Sequence, residues 1–170
     1  MKPNVLLLGI LLFLSPAALG NNAGDDTDAL LIAATYIGDG NGTIYRGYGT
    51  KPLDAIYTFK NGRIYKGDGR FTLSLDALYT IRDGRIFEGN IWPYDAAYSI
   101  VGERIYRGNA TFASWFDVLF TVRDGQFYIG DSSFILDIAY SVRDGRVYEG
   151  RGEFTNTLFD VLYTIEYGGY

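Results

Sequence analysis

The 170 residues contain no cysteine and no histidine. That double absence excludes His-based triads, thiol chemistry, a disulfide framework and nearly all zinc or copper sites. Any catalysis would have to run on carboxylates, tyrosine, lysine or arginine. Positive charge is also in short supply. With Lys2 set aside, fourteen basic residues face twenty acidic ones, a net charge of −6. A sequence-independent nucleic-acid or anionic-membrane role needs a basic face, so the balance opposes both. Long apolar runs are nearly absent. The one example, Val5–Leu14 (VLLLGILLFL), follows Lys2 and precedes SPAALG, which puts small residues at Ala18 and Gly20. This reads as a secretory signal peptide over residues 1–20, too short to span a bilayer as a helix. The remaining chain carries no second such run, so no membrane insertion is expected once the signal is removed. The expectation is an exported protein, periplasmic or secreted. Export without disulfides fits a bacterial envelope better than a eukaryotic secretory route.

What the sequence does have is one hairpin written repeatedly. DAIYTFKNGRIYKG begins at Asp54, DALYTIRDGRIFEG at Asp76, DAAYSIVGERIYRG at Asp95, DVLFTVRDGQFYIG at Asp117 and DIAYSVRDGRVYEG at Asp137. A first half alone, DVLYTI, begins at Asp160, and a second half alone, TIYRG, occupies Thr43–Gly47. The aspartates are 22, 19, 22, 20 and 23 residues apart. Asn-Gly and Asp-Gly between alternating apolar residues mark two-residue type I′ turns, because both positions need positive φ. The Val-Gly-Glu-Arg copy moves glycine to the first turn position and predicts type II′. Centring the second copy on Asp83-Gly84 places Arg82 opposite Arg85, Ile81 opposite Ile86, Thr80 opposite Phe87 and Leu78 opposite Gly89. The recurrent glycine then always faces an aliphatic residue, where its missing side chain is expected to give a neighbour room.

An isolated hairpin cannot bury two apolar faces, so neighbouring copies must pack together. Reframed as G-R-I-Y-x-G, loop, D-x-L-Y-T-I, the chain holds six complete copies (43–59, 63–81, 85–100, 104–122, 126–142, 146–165), with no atypical capping repeat. The predicted architecture is all-β: six hairpin repeats of about 19–23 residues in a closed, propeller-like or flower-like pseudo-symmetric ring. Residues 38–170 form a single hairpin-repeat domain. Within 21–37, Asp28–Ile37 (DALLIAATYI) reads as an extra strand or short plug, with a short helix capped by Asp28 as the alternative.

The recurrent DGRIYxG and DxLYTI, as at Asp144–Gly150 and Asp160–Ile165, resemble the β-flowers, small hairpins arranged around a pseudo-symmetry axis. The resemblance covers about residues 38–165. It implies a compact symmetric all-β domain, often exported, with no activity generally assigned. Six copies depart from the fourfold and fivefold members of that group.

The repeat aspartates (Asp54, Asp76, Asp95, Asp117, Asp137, Asp160) are read as loop-ending hydrogen-bond acceptors, since catalysis needs carboxylates in unlike environments. The arginines beside the turns, such as Arg63, Arg85, Arg104 and Arg146, form a solvated stripe more readily than an anion site. The repeated tyrosines, with Phe120 in one copy, are packing residues. Glu103 and Glu153 are the off-pattern acids near loops, and they make no pair. No metal and no cofactor are expected, and the chain is read as non-catalytic.

Binding is assigned to the loops, which vary in length from 5 to 9 residues between glycine and aspartate. Both tryptophans lie there, in NIWPY and NATFASWF, so Trp92, Tyr94, Trp115 and Phe116 are the candidate ligand-binding residues. The competing reading folds loop aromatics inward as a plug, favoured for Phe71, Phe134, Phe154 and Phe159. A glycan or an envelope protein is the expected partner class. The alternatives are a structural, self-assembling envelope protein and an inhibitor or immunity-type protein.

Overall fold

The computed structural model describes residues 27–90, 95–112, 114–152 and 161–168. Twelve strands close into one antiparallel barrel. They are β1 (Gly42–Arg46), β2 (Ala55–Lys60), β3 (Arg63–Lys66), β4 (Tyr79–Arg82), β5 (Arg85–Glu88) and β6 (Tyr98–Val101). β7 (Arg104–Arg107), β8 (Val118–Arg123), β9 (Gln126–Ile129), β10 (Ile138–Arg143), β11 (Arg146–Glu149) and β12 (Val161–Tyr167) complete the circle. Five hairpins are local: β2–β3, β4–β5, β6–β7, β8–β9 and β10–β11. The sixth is assembled from the two remote half-copies, with β12 pairing β1 through Ile165↔Ile44 and Thr164↔Tyr45. Its register reproduces Ile81↔Ile86 and Thr80↔Phe87 of the local β4–β5 hairpin. The lone half-repeats are therefore the closure of the ring.

Turn chemistry follows the residues. Asn61, Asp83, Asp124 and Asp144 have φ of 49–52°, each followed by a glycine at 69–76°, as type I′ demands. In Val101-Gly102-Glu103-Arg104 only Gly102 is positive, the type II′ pattern. The first turn end also touches the next hairpin: a Cβ on Gly84 would lie 2.6 Å from the Ile100 carbonyl oxygen.

The second recurrent glycine has a different cause from the clearance expected. Gly67, Gly89 and Gly150 have open space where a Cβ would sit. They are needed for φ of 62–74°, a left-handed backbone that other residues adopt at a cost of about 1–2 kcal/mol. In that conformation each glycine N–H bonds the strand opposite, as Gly89 N to Leu78 O at 2.7 Å. Its carbonyl accepts the hydroxyl of the repeat's Thr or Ser. Thr58–Gly67, Thr80–Gly89, Ser99–Gly108, Thr121–Gly130 and Ser141–Gly150 all show this bond at 2.5–2.8 Å. Thr164 makes it to Gly47 at 2.8 Å, stitching the closing hairpin like the others.

Each hairpin sends three side chains inward. Two form facing pairs, such as Phe59↔Ile64, Val122↔Phe127 and Ile165↔Ile44, and the third is the tyrosine or Phe120. Eight strands already make a barrel that side chains alone can fill, and twelve leave a wider lumen. That lumen holds α1 (Thr27–Ile37). Residues 27–37 are thus a helix and not an added strand. Ala29, Leu30, Leu31, Ile32, Ala33 and Ala34 are all 0–2 % exposed, so the helix is apolar on every side, as a fully enclosed helix must be. It packs on β1, β2 and β12, and on the far wall Tyr36 meets Phe127 at 6.3 Å between ring centroids.

Candidate functional site

The two ends of the barrel differ in construction. One carries the tight turns. The other carries the longer loops that lead from each glycine to the next aspartate, and these loops repeat a geometry of their own. Four of them finish in a single 3₁₀ turn: Pro52–Asp54, Ser74–Asp76, Trp115–Asp117 and Ile135–Asp137. In each turn the aspartate N–H bonds the carbonyl three residues back, for example Asp76 N to Leu73 O at 2.9 Å. The aspartate side chain locks three of them in return. Asp76 accepts from Leu73 N at 2.7 Å, Asp117 from Ser114 N at 2.9 Å, and Asp137 from the Ser132 hydroxyl. These carboxylates are loop-ending acceptors.

The middle residue of each turn is thrown outward. Leu53 is 98 % exposed, Leu75 79 %, Phe116 75 % and Leu136 78 %. Four large apolar side chains at one repeat position, all in water, form a ring of knobs around the loop end. Phe71, Leu73, Trp115, Phe134 and Ile135 stand exposed beside them. Scattered exposed apolar residues are ordinary, whereas exposure repeated at one structural position in four loops is not scatter.

Of the four residues assigned to binding, Trp115 and Phe116 lie in this crown, their rings stacked at 3.5 Å between centroids. Trp92 and Tyr94 fall outside the described residues. The plug reading is corrected for Phe71 and Phe134, which are 95 % and 61 % exposed, because α1 already fills the lumen they would have entered. Phe154 and Phe159 fall outside the described residues. The aliphatic knobs went unnoticed in the sequence, although the signal was present. The residue before each repeat aspartate is always large and apolar: Leu53, Leu75, Tyr94, Phe116, Leu136 and Phe159.

Polar chemistry elsewhere is spent on the fold. Arg104 pairs with Asp131 and Arg123 with Glu103, both at 2.8 Å, while Arg63 bonds Asn90 and Arg146 stacks on Tyr48. At the turn end, Ala34, Gly38, Asp39, Ile81, Asp83 and Gly84 help line a cleft of about 320 Å³. Its carboxylates belong to the helix exit and a turn, its one hydroxyl, on Thr35, donates to the Leu31 carbonyl at 2.8 Å, and no cationic side chain is among the described residues that line it. Among the described residues no group of three potential metal ligands converges.

Inside the loop end, the Tyr140 hydroxyl donates to the Asp28 carboxylate at 2.6 Å, fixing the helix against β10. Burial first, and this carboxylate second, push the Tyr140 hydroxyl well above its ordinary value near 10. A raised folded-state value means that the stabilisation is complete below about pH 10 and is lost as pH rises further. Denaturant midpoints are expected to be flat between pH 7 and 9 and to fall above 10. Tyr140→Phe should lower the neutral-pH midpoint by about 1–2 kcal/mol of stability and reduce the alkaline fall. An unaltered alkaline fall in the variant would dissociate that bond from the pH response.

The family model described as "6-fold beta flower protein" matches residues 31–114 and again 76–169. Two matches offset by 45 residues, about two hairpins, are what a repeated chain gives when one model fits it in two frames. Comparison with curated proteins and with solved structures gave no match. The match spans 31–169 of the 170 residues and agrees with six hairpins closed in a ring, so the chain belongs to the 6-fold beta flower proteins.

Proposed function

We propose that this protein is an exported, non-catalytic binding module that engages a macromolecular partner through the apolar crown at its loop end. The observation that carries this reading is the repeated exposure of Leu53, Leu75, Phe116 and Leu136 at one structural position. The apolar repeat positions of the strands, the tyrosines and the facing aliphatic pairs, turn inward to the core, whereas this apolar loop position turns outward in every described copy. A chain gains nothing in stability from holding leucine in water, so a covering partner gives the position its purpose.

A protein partner fits better than a glycan. Sugar rings stack on flat aromatic faces, while much of the crown is leucine, and the Trp115 and Phe116 rings already cover each other. The barrel wall is the inverse of a membrane-spanning one: its interior is apolar and its strands have four to seven residues, against the nine to eleven a bilayer needs.

A photoreactive phenylalanine analogue placed at Leu75 or Leu136 is expected to capture a discrete partner in the producing cell. The same analogue at Arg82 or Asp83 on the turn end should capture none. Equal capture at both ends would overturn the assignment of the binding face.

A further inference from the structure

Resting on that reading of the crown, we infer the chemistry of its partner: a polypeptide surface that is both apolar and cationic, with apolar side chains seated among the knobs and Lys or Arg at their feet. The residue next to each knob sets this chemistry. Leu53, Leu75, Phe116 and Leu136 are each followed by a carboxylate, Asp54, Asp76, Asp117 and Asp137. Each described knob of the crown is therefore followed directly by an acid. Other acids of these loops are already matched, Asp68 with Arg70 and Asp131 with Arg104. Among the described residues none of the four crown aspartates is paired with a cation.

Charge decides between the occupants. An anionic bilayer would be repelled by the carboxylate ring, whose potential at the surface opposes phosphate. A second copy docked crown to crown would bring like charges together, which costs affinity. A cationic apolar polypeptide satisfies both features at once. The knobs supply contact area, and the carboxylates select sign and orientation. Convex knobs on separate loops also favour a broad partner over a small molecule, which needs a concave site.

The test uses the full mature protein and two amphipathic helical peptides of equal length, one of Leu and Lys, the other of Leu and Glu. Neutral phosphatidylcholine and anionic phosphatidylglycerol vesicles complete the set. The Leu/Lys peptide should bind at least tenfold more tightly than the Leu/Glu peptide and more tightly than either vesicle, and its affinity should fall with added salt. Converting Asp54, Asp76, Asp117 and Asp137 to Asn keeps the loop acceptors and should weaken the Leu/Lys peptide about tenfold, while the Leu/Glu peptide, relieved of repulsion, should bind more tightly than it does to the wild type. Leu75→Ser with Phe116→Ser and Leu136→Ser should abolish binding of the Leu/Lys peptide. Equal affinity for the two peptides, or an unaffected Asn variant, would overturn the cationic partner while leaving the crown as the binding face. Tighter binding to either vesicle would make the occupant a membrane. Concentration-dependent dimerisation that the serine variant abolishes would make it a second copy. Either result overturns the inference. Peptide binding that survives the serine changes would sink the crown itself.

Discussion

Leu30→Asp is expected to leave no folded protein at neutral pH. Leu30 is fully buried on an enclosed helix, with barrel wall around it and no buried cation among the described residues. An unpaired carboxylate there costs several kcal/mol, comparable to the about 5–15 kcal/mol that holds a typical domain together. The milder Leu30→Ala removes only packing and should cost about 2–5 kcal/mol, giving a folded protein with a clearly lower urea midpoint. The two variants grade the same contact, and circular dichroism with urea titration reads both. A Leu30→Asp protein that unfolds at the wild-type midpoint would show that the lumen is not where α1 belongs.

Stopping the chain after Asp160 is expected to be as damaging, for a different reason. Removing β12 deletes no local hairpin. It takes away the strand that joins β11 to β1, and with it two ladders, the Thr164–Gly47 bond and the buried Ile165. Two strand edges are then left open, and open edges pair with other chains. The expected product is aggregated or unfolded chain in sedimentation and circular dichroism. A soluble monomer of native spectrum would mean that five hairpins suffice without closure. Ile165→Pro is the point-sized version. It deletes the donor of the 2.6 Å bond from Ile165 N to Gly145 O and should cost about 3 kcal/mol or more.

The wall of this barrel was legible because its rules are local. Asp83-Gly84 fixes a type I′ turn, the turn fixes the register, and the register sends Tyr79, Ile81 and Ile86 to one face. Counting copies then gave ring closure, since the half-repeats at Thr43 and Asp160 complete each other. What lay beyond local rules was harder to read. DALLIAATYI echoes DALYTI, and strand and helix were both compatible with so short an apolar run. The lumen of a twelve-strand barrel settles the matter, because its width calls for a filler whose entire circumference is apolar.

The recurrent glycine shows a right position with a wrong cause. Facing an aliphatic residue suggested crowding, whereas Gly89 has open space around it and is selected by φ and by its carbonyl's bond to Thr80. The candidate site was half visible in the same way. Trp115 and Phe116 stood out because they are rare or large, and rarity drew attention from the commoner leucines. Leu53, Leu75 and Leu136 occupy the constant last place of loops that otherwise vary, so their pattern shows only when the loops are aligned on the aspartate rather than compared by length.

The central claim, that the crown exists to be covered by a partner, is tested most directly by one cross-linking comparison. The photoreactive analogue at Leu75 is placed in the wild-type background and in a background carrying Leu53→Ser, Phe116→Ser and Leu136→Ser. These side chains are 75–98 % exposed, so the fold is predicted to keep its wild-type circular dichroism spectrum. The account predicts that partner capture falls at least tenfold in the serine background. Undiminished capture from a folded serine variant would contradict it.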